Sequence, residues 1–107
     1  MATNATYTSS PGYPMSTGGG GLEWIGTVTG INYTAGTPES IEAAGCGMKY
    51  IQHITGGAST SKTYVTVGSS TAIGATTGSL FWFTSSNGSE ATADVSAETV
   101  VLRVVGF

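Results

Sequence analysis

Leu80-Phe81-Trp82-Phe83 puts four large apolar residues in a row inside a chain that is otherwise rich in Thr, Ser, Gly and Ala. Gly78-Ser79 precedes the run and Ser85-Ser86-Asn87-Gly88 closes it. A run this short and bulky, bounded by turn residues, reads as one buried β-strand. Side chains alternate along a strand, so Leu80 and Trp82 point one way while Phe81 and Phe83 point the other. Both faces being apolar, the expectation is a strand covered on both sides, by a second sheet and by a further layer or subunit.

The flanking sequence supplies partners of the same kind. Leu22 to Ile31 is a first strand, interrupted at Gly26 by either a bulge or a close backbone approach. Met48 to Thr55 alternates, with Met48, Tyr50, Gln52 and Ile54 on one side and Lys49, Ile51, His53 and Thr55 on the other. Lys62 to Val67 is another strand. The segment 38–44 reads as one helical turn or a short strand, and Asn32 to Pro38 as a turn. Residues 68–78 form a small-residue loop anchored by Ile73. Asn87-Gly88 signals a hairpin turn, with a weak strand at Ala91 to Val95 after it. Thr99 to Val105 is nearly continuous β-branched sequence, suited to a central strand with Arg103 paired or near an edge. Five to seven short strands separated by Gly/Ser/Asn turns predict an all-β fold, a small β-sandwich or jelly-roll-like barrel.

Residues 1–21 differ from the body at 22–107. They hold Pro11-Gly12, Pro14 and Gly18 to Gly21, with no helical period, and predict an extended Gly/Pro/Ser-rich arm. Its spaced anchors are Tyr7, Tyr13, Pro14 and Met15, placed to hold a neighbouring subunit. The body core is expected to be Leu22, Trp24, Phe81, Trp82, Phe83, Leu102 and Val104.

Only 8% of the 107 residues are charged, against roughly 25% in an ordinary soluble domain. Lys49, Lys62 and Arg103 face six acids, for a net charge of −3. Neutral Thr/Ser/Gly surface is buried without desolvating ions, and charge depletion marks interface cores, so the composition points to an assembly. An acidic balance gives no footprint for a nucleic-acid backbone. No apolar stretch approaches the ~20 residues of a membrane helix, and Met-Ala-Thr-Asn at the start has no signal-peptide pattern.

Chemistry is sparse. His53 is the single histidine, with no Ser-His-acid order around it and no second His or Cys for a metal. Cys46, between Gly45 and Gly47, lacks an evident activating base and reads as a small buried hydrophobe. Glu39 and Glu42 would pair only on a helical turn. Gly18 to Gly21 lacks the Lys-Ser/Thr of a phosphate loop. The expectation is a non-enzyme with no catalytic residue, cofactor or metal. Asn4, Asn32 and Asn87 begin Asn-x-Ser/Thr triplets, which chance supplies in so Ser/Thr-rich a chain. Gly21-Leu22-Glu23-Trp24-Ile25-Gly26 looks like an antibody framework segment, but the cysteine pair of a variable domain is missing.

With its Pro11-Gly12-Tyr13-Pro14 arm, its Ala91-Thr92-Ala93 stretch, few charges and Val-rich terminal strand ending at Phe107, the chain resembles the small structural virion proteins of tailed bacteriophages, of the head decoration (cement) or head-spike and fibre-base type. The resemblance is one of overall style and carries no site residues. It implies a homo-oligomer, often a trimer, that assembles in the host cytoplasm and stabilises the virion by binding the major capsid protein or another virion protein. The alternative is a glycan- or receptor-binding domain of a fibre or spike, for which Trp24 and Tyr33 would form an exposed stacking cluster. A subunit of an extracellular filament is a third class, disfavoured by the absent export signal.

Overall fold

The computed structural model describes residues 6–29, 39–68, 74–91, 95 and 98–107. Among them are eight strands: β1 (Thr6–Ser9), β2 (Met15–Gly18), β3 (Gly21–Thr29), β4 (Glu39–Glu42), β5 (Ile51–Thr55), β6 (Tyr64–Gly68), β7 (Thr77–Thr84) and β8 (Thr99–Gly106). The segment 38–44 is a short strand over Glu39–Glu42, and a 3-10 turn, Ala43–Cys46, follows it directly and runs through Gly45. The turn expected over Asn32 to Pro38, the Ile73 anchor and most of the weak strand expected over Ala91 to Val95 lie outside the described residues.

Two antiparallel sheets face each other. The larger runs β1-β3-β8-β5, with β2 also on β3; the smaller runs β4-β7-β6. The fold is an all-β sandwich, as the turn-bounded apolar runs require. The Val-rich β8 is central, matched to β3 from Leu22↔Gly106 through Thr29↔Thr99. Its alternate residues Val100, Leu102 and Val104 are fully buried, and they meet Trp24, Val28, Ile51, Ile54, Leu80 and Trp82 in one core. Burying each large side chain contributes about 2–3 kcal/mol. Leu22 is partly buried against this core.

Residues 56–60 close one flank. Beyond Gly56-Gly57, Ser59 bridges Val100 of β8 while Ala58 bridges Val65 of β6. The Thr66 N–H donates to the Gly57 carbonyl at 2.9 Å, and the Thr60 N–H donates to the Thr99 carbonyl at 2.9 Å. One short segment therefore belongs to both sheets. The other flank is closed from the N-terminal end, where the Glu42 N–H donates to the Tyr7 hydroxyl at 2.9 Å.

Two expectations are corrected, and one is resolved between its alternatives. Phe81 and Phe83 are half-buried on the outer face of the smaller sheet and take no part in the core. The second sheet covers only one side of β7, and every described strand already belongs to one of the two sheets, so none remains to form a third layer. The clean alternation read over Met48 to Thr55 fails because the register shifts between Ile51 and His53. Ile51 and Ile54 both point inward, while Gln52 and His53 are both exposed. Gly26 keeps regular register (Ser9↔Gly26 and Gly26↔Leu102), so it marks a close approach and no bulge. A side chain there would collide with the Trp24 ring and the Thr8 carbonyl.

The N-terminal segment also departs from a free arm. β1 and β2 lie end to end on the outer edge of β3, paired at Thr6↔Thr29 to Ser9↔Gly26 and at Met15↔Glu23. Tyr7 packs edge-on to Trp24 with ring centroids 6.2 Å apart, and the Trp24 indole donates to Ser9 Oγ at 2.8 Å. Tyr13 is half-buried against the core. Gly45 and Gly47 leave room for the Tyr7 ring and Pro14: a Cβ on them would come within 2.7 Å and 2.9 Å. Tyr7, Tyr13 and Pro14 thus anchor the segment to its own body, and of the four proposed anchors only Met15 is an exposed large hydrophobic residue.

Candidate interaction surface

The polar and titratable candidates are scattered. His53 and Lys49 are exposed, His53 on β5 and Lys49 in the segment before it. Cys46 is buried in the 3-10 turn, and burial pushes its thiol from 9.0 up to about 12, so it stays a neutral apolar group. Glu39 and Glu42 lie on strand β4 and not on a helical turn, so the helical pairing the sequence allowed is not formed. Asn87 uses its Oδ1 to accept from Thr84 Oγ1 and from the Ser89 N–H, capping the turn after β7. Asn4 and Asn32 lie outside the described residues. The described residues contain no cluster of three metal-ligating side chains and no pocket.

What remains is the contrast between the two outer faces. On the larger sheet, β3, β8 and β5 present Glu23, Ile25, Thr27 and Thr29 beside Val105, Arg103, Val101 and Thr99, with His53 and Thr55 beyond them. Arg103 pairs with Glu23, and Thr29 Oγ1 shares a hydrogen bond of 2.9 Å with Thr99 Oγ1. This face is a solvated mixture.

The smaller sheet is different. Val65 stands opposite Phe83 and Val67 opposite Phe81, so directly paired residues on one face form a two-by-two apolar block. Val65 and Val67 are 37% and 53% exposed. Farther along β7, Ser79 faces Ser40 of β4. Ala58 flanks Val65, and Glu90 flanks Phe83 on the far side. Sequence reading put Phe81 and Phe83 in the core and Val65 and Val67 together on one face of their strand, without joining the four on one surface. The signal was there: in Tyr64-Val65-Thr66-Val67 the Val residues alternate with Tyr64 and Thr66, and in the structure Tyr64 and Thr66 turn inward against Trp82.

Compared with known protein families, characterised proteins and solved structures, the chain matches none. The surface itself carries the functional argument. Trp24 is fully buried, so the aromatic cluster expected of a glycan-binding domain has lost its tryptophan; Tyr33 lies outside the described residues.

Proposed function

We propose that the chain is a non-enzymatic structural protein of a virion, a capsid decoration or cement protein that works as a homo-oligomer. The observation that carries this reading is the uncharged Val65/Val67/Phe81/Phe83 block on the outer face of the smaller sheet, its valines exposed and its phenylalanines half-buried. Contiguous apolar surface marks interaction sites, and a face without a pocket among the described residues suits a protein surface better than a small molecule. The rest of the exterior, dominated by Thr, Ser and Gly, adds neutral contacts that cost little desolvation when repeated over a lattice. The virion assignment rests on the resemblance in style already described.

The test is co-sedimentation of purified chain with tailed-phage particles stripped of it. Saturable binding at a fixed number of copies per particle, with DNA release shifted to higher temperature, is the expected result. No binding to particles at any concentration overturns the assignment.

A further inference from the structure

We infer that the open face of the smaller sheet is covered by a second copy of this chain, packed face to face across a twofold axis that runs parallel to β6 and β7 and between them. The inference deepens the proposed function by naming the partner at that surface, and it rests on the same reading of the face as an interface.

Shape argues for a copy of itself. The block has two columns, the smaller and more exposed Val65 and Val67 on β6 and the larger, half-buried Phe81 and Phe83 on β7. Rotation about an axis lying between the columns and along the strands moves each column of one copy over the other column of its partner. Phe83 then stands above Val65 of the second copy, and Phe81 above Val67. Large side chains meet small ones at every position, which is the condition for two sheets to interdigitate at the usual spacing of about 10 Å. An unrelated flat partner would have to match this step by accident.

Charge argues the same way. A twofold interface is isologous, so a charge near its axis meets its own image. The four central residues and the Ser40/Ser79 pair carry none; the next pair along the face brings Glu42, opposite Thr77 on the edge strand β4 and so off the axis. Glu90, on the far side of Phe83, is carried over Ala58 of the partner and so stays away from its own image. Four side chains are the centre of an interface and fall short of the ~800 Å² per partner of a standard stable complex. The dimer is therefore concentration-dependent, and it departs from the trimer that the phage resemblance implies.

The experiment is native mass by light scattering from the micromolar range upward, for the wild type, Val67→Lys and Val101→Lys. Val101 is 52% exposed, almost the same as Val67 at 53%, but sits on the other sheet. The wild type and Val101→Lys should rise from 10.7 kDa toward twice that mass, while Val67→Lys stays at the chain mass, its dissociation constant raised at least tenfold. Circular dichroism checks that each variant folds. Should Val67→Lys fail to fold, Val67→Thr keeps the β-branched shape and should weaken association several-fold. Amide shifts of the wild type on dilution should then centre on residues 65, 67, 81 and 83. A wild type that stays monomeric, a threefold mass, or a dimer untouched by Val67→Lys overturns the inference. A monomer that nevertheless co-sediments with particles overturns this inference and the homo-oligomer but leaves the decoration role standing, and a dimer that ignores particles overturns the decoration role alone.

Discussion

Trp24 and Trp82 are both fully buried, yet their indole N–H groups meet different fates. Trp24 donates to Ser9 Oγ, whereas Trp82 Nε1 has no hydrogen-bond partner among the described residues. An unsatisfied buried donor costs about 1–3 kcal/mol, so replacing each ring by Phe should have unequal consequences. Trp82→Phe loses volume but sheds the orphan donor; Trp24→Phe loses volume and a bond. Urea unfolding should show Trp24→Phe to be the more destabilised, by roughly 1–2 kcal/mol. Cys46 gives a second prediction at this scale. Its thiol titrates near 9.0 unfolded and about 12 folded. Between those values the unfolded chain gives up a proton that the folded chain keeps, so stability falls as pH rises through this window and is unaffected below it. The unfolding midpoint of Cys46→Ala, measured against wild type from pH 7 to about 11, should show a constant offset up to about pH 9 and then a gain relative to wild type.

At the scale of elements, the N-terminal strands are part of the body. Removing residues 1–17 deletes β1, most of β2, the Tyr7 ring beside Trp24 and the bond to the Glu42 N–H. The truncated chain should therefore be severely destabilised, contrary to what a detachable arm would show. Tyr7→Ala alone should cost about 2–4 kcal/mol and shift Trp fluorescence to the red as Trp24 meets water. Sequence could not show this, because Pro11-Gly12 and Pro14 read as breakers and the strand state of Thr6–Ser9 comes from the free edge of β3, a tertiary cause. β3, β7 and β8 were legible from their apolar runs, since such runs have few other ways to be buried. The shift in β5 was not legible, because Ile51 and Ile54 reach the same core only through a local irregularity that period-two reading forbids. For Phe81 and Phe83, sequence announced apolar surface but not whether the same chain covers it. That depends on how many layers the chain forms.

For the whole molecule, the low charge content makes a prediction about salt. The Arg103–Glu23 pair lies on a solvated face, with the Arg103 side chain 50% exposed, where screening removes little. With a net charge of only −3 there is also little self-repulsion to relieve. The thermal midpoint should change by no more than a few degrees between low salt and about 1 M NaCl, while sulfate, which strengthens apolar burial, should raise it. Calorimetry in the two salts separates these effects. The strand order has a mechanical consequence as well. β1 and β8 both run antiparallel to β3, so Thr6 lies level with Thr29, and Gly106 lies level with Leu22 at the opposite end of the sheet. Tension applied between residues 6 and 107 would pull along the strands, loading the ladder of β3 and β8 in shear so that its bonds bear the force together instead of unzipping singly. A chain tethered at both ends in this way would behave as a stiff strut whose yield force is set by the shorter ladder of β1 on β3, through which the same load passes before it reaches β8.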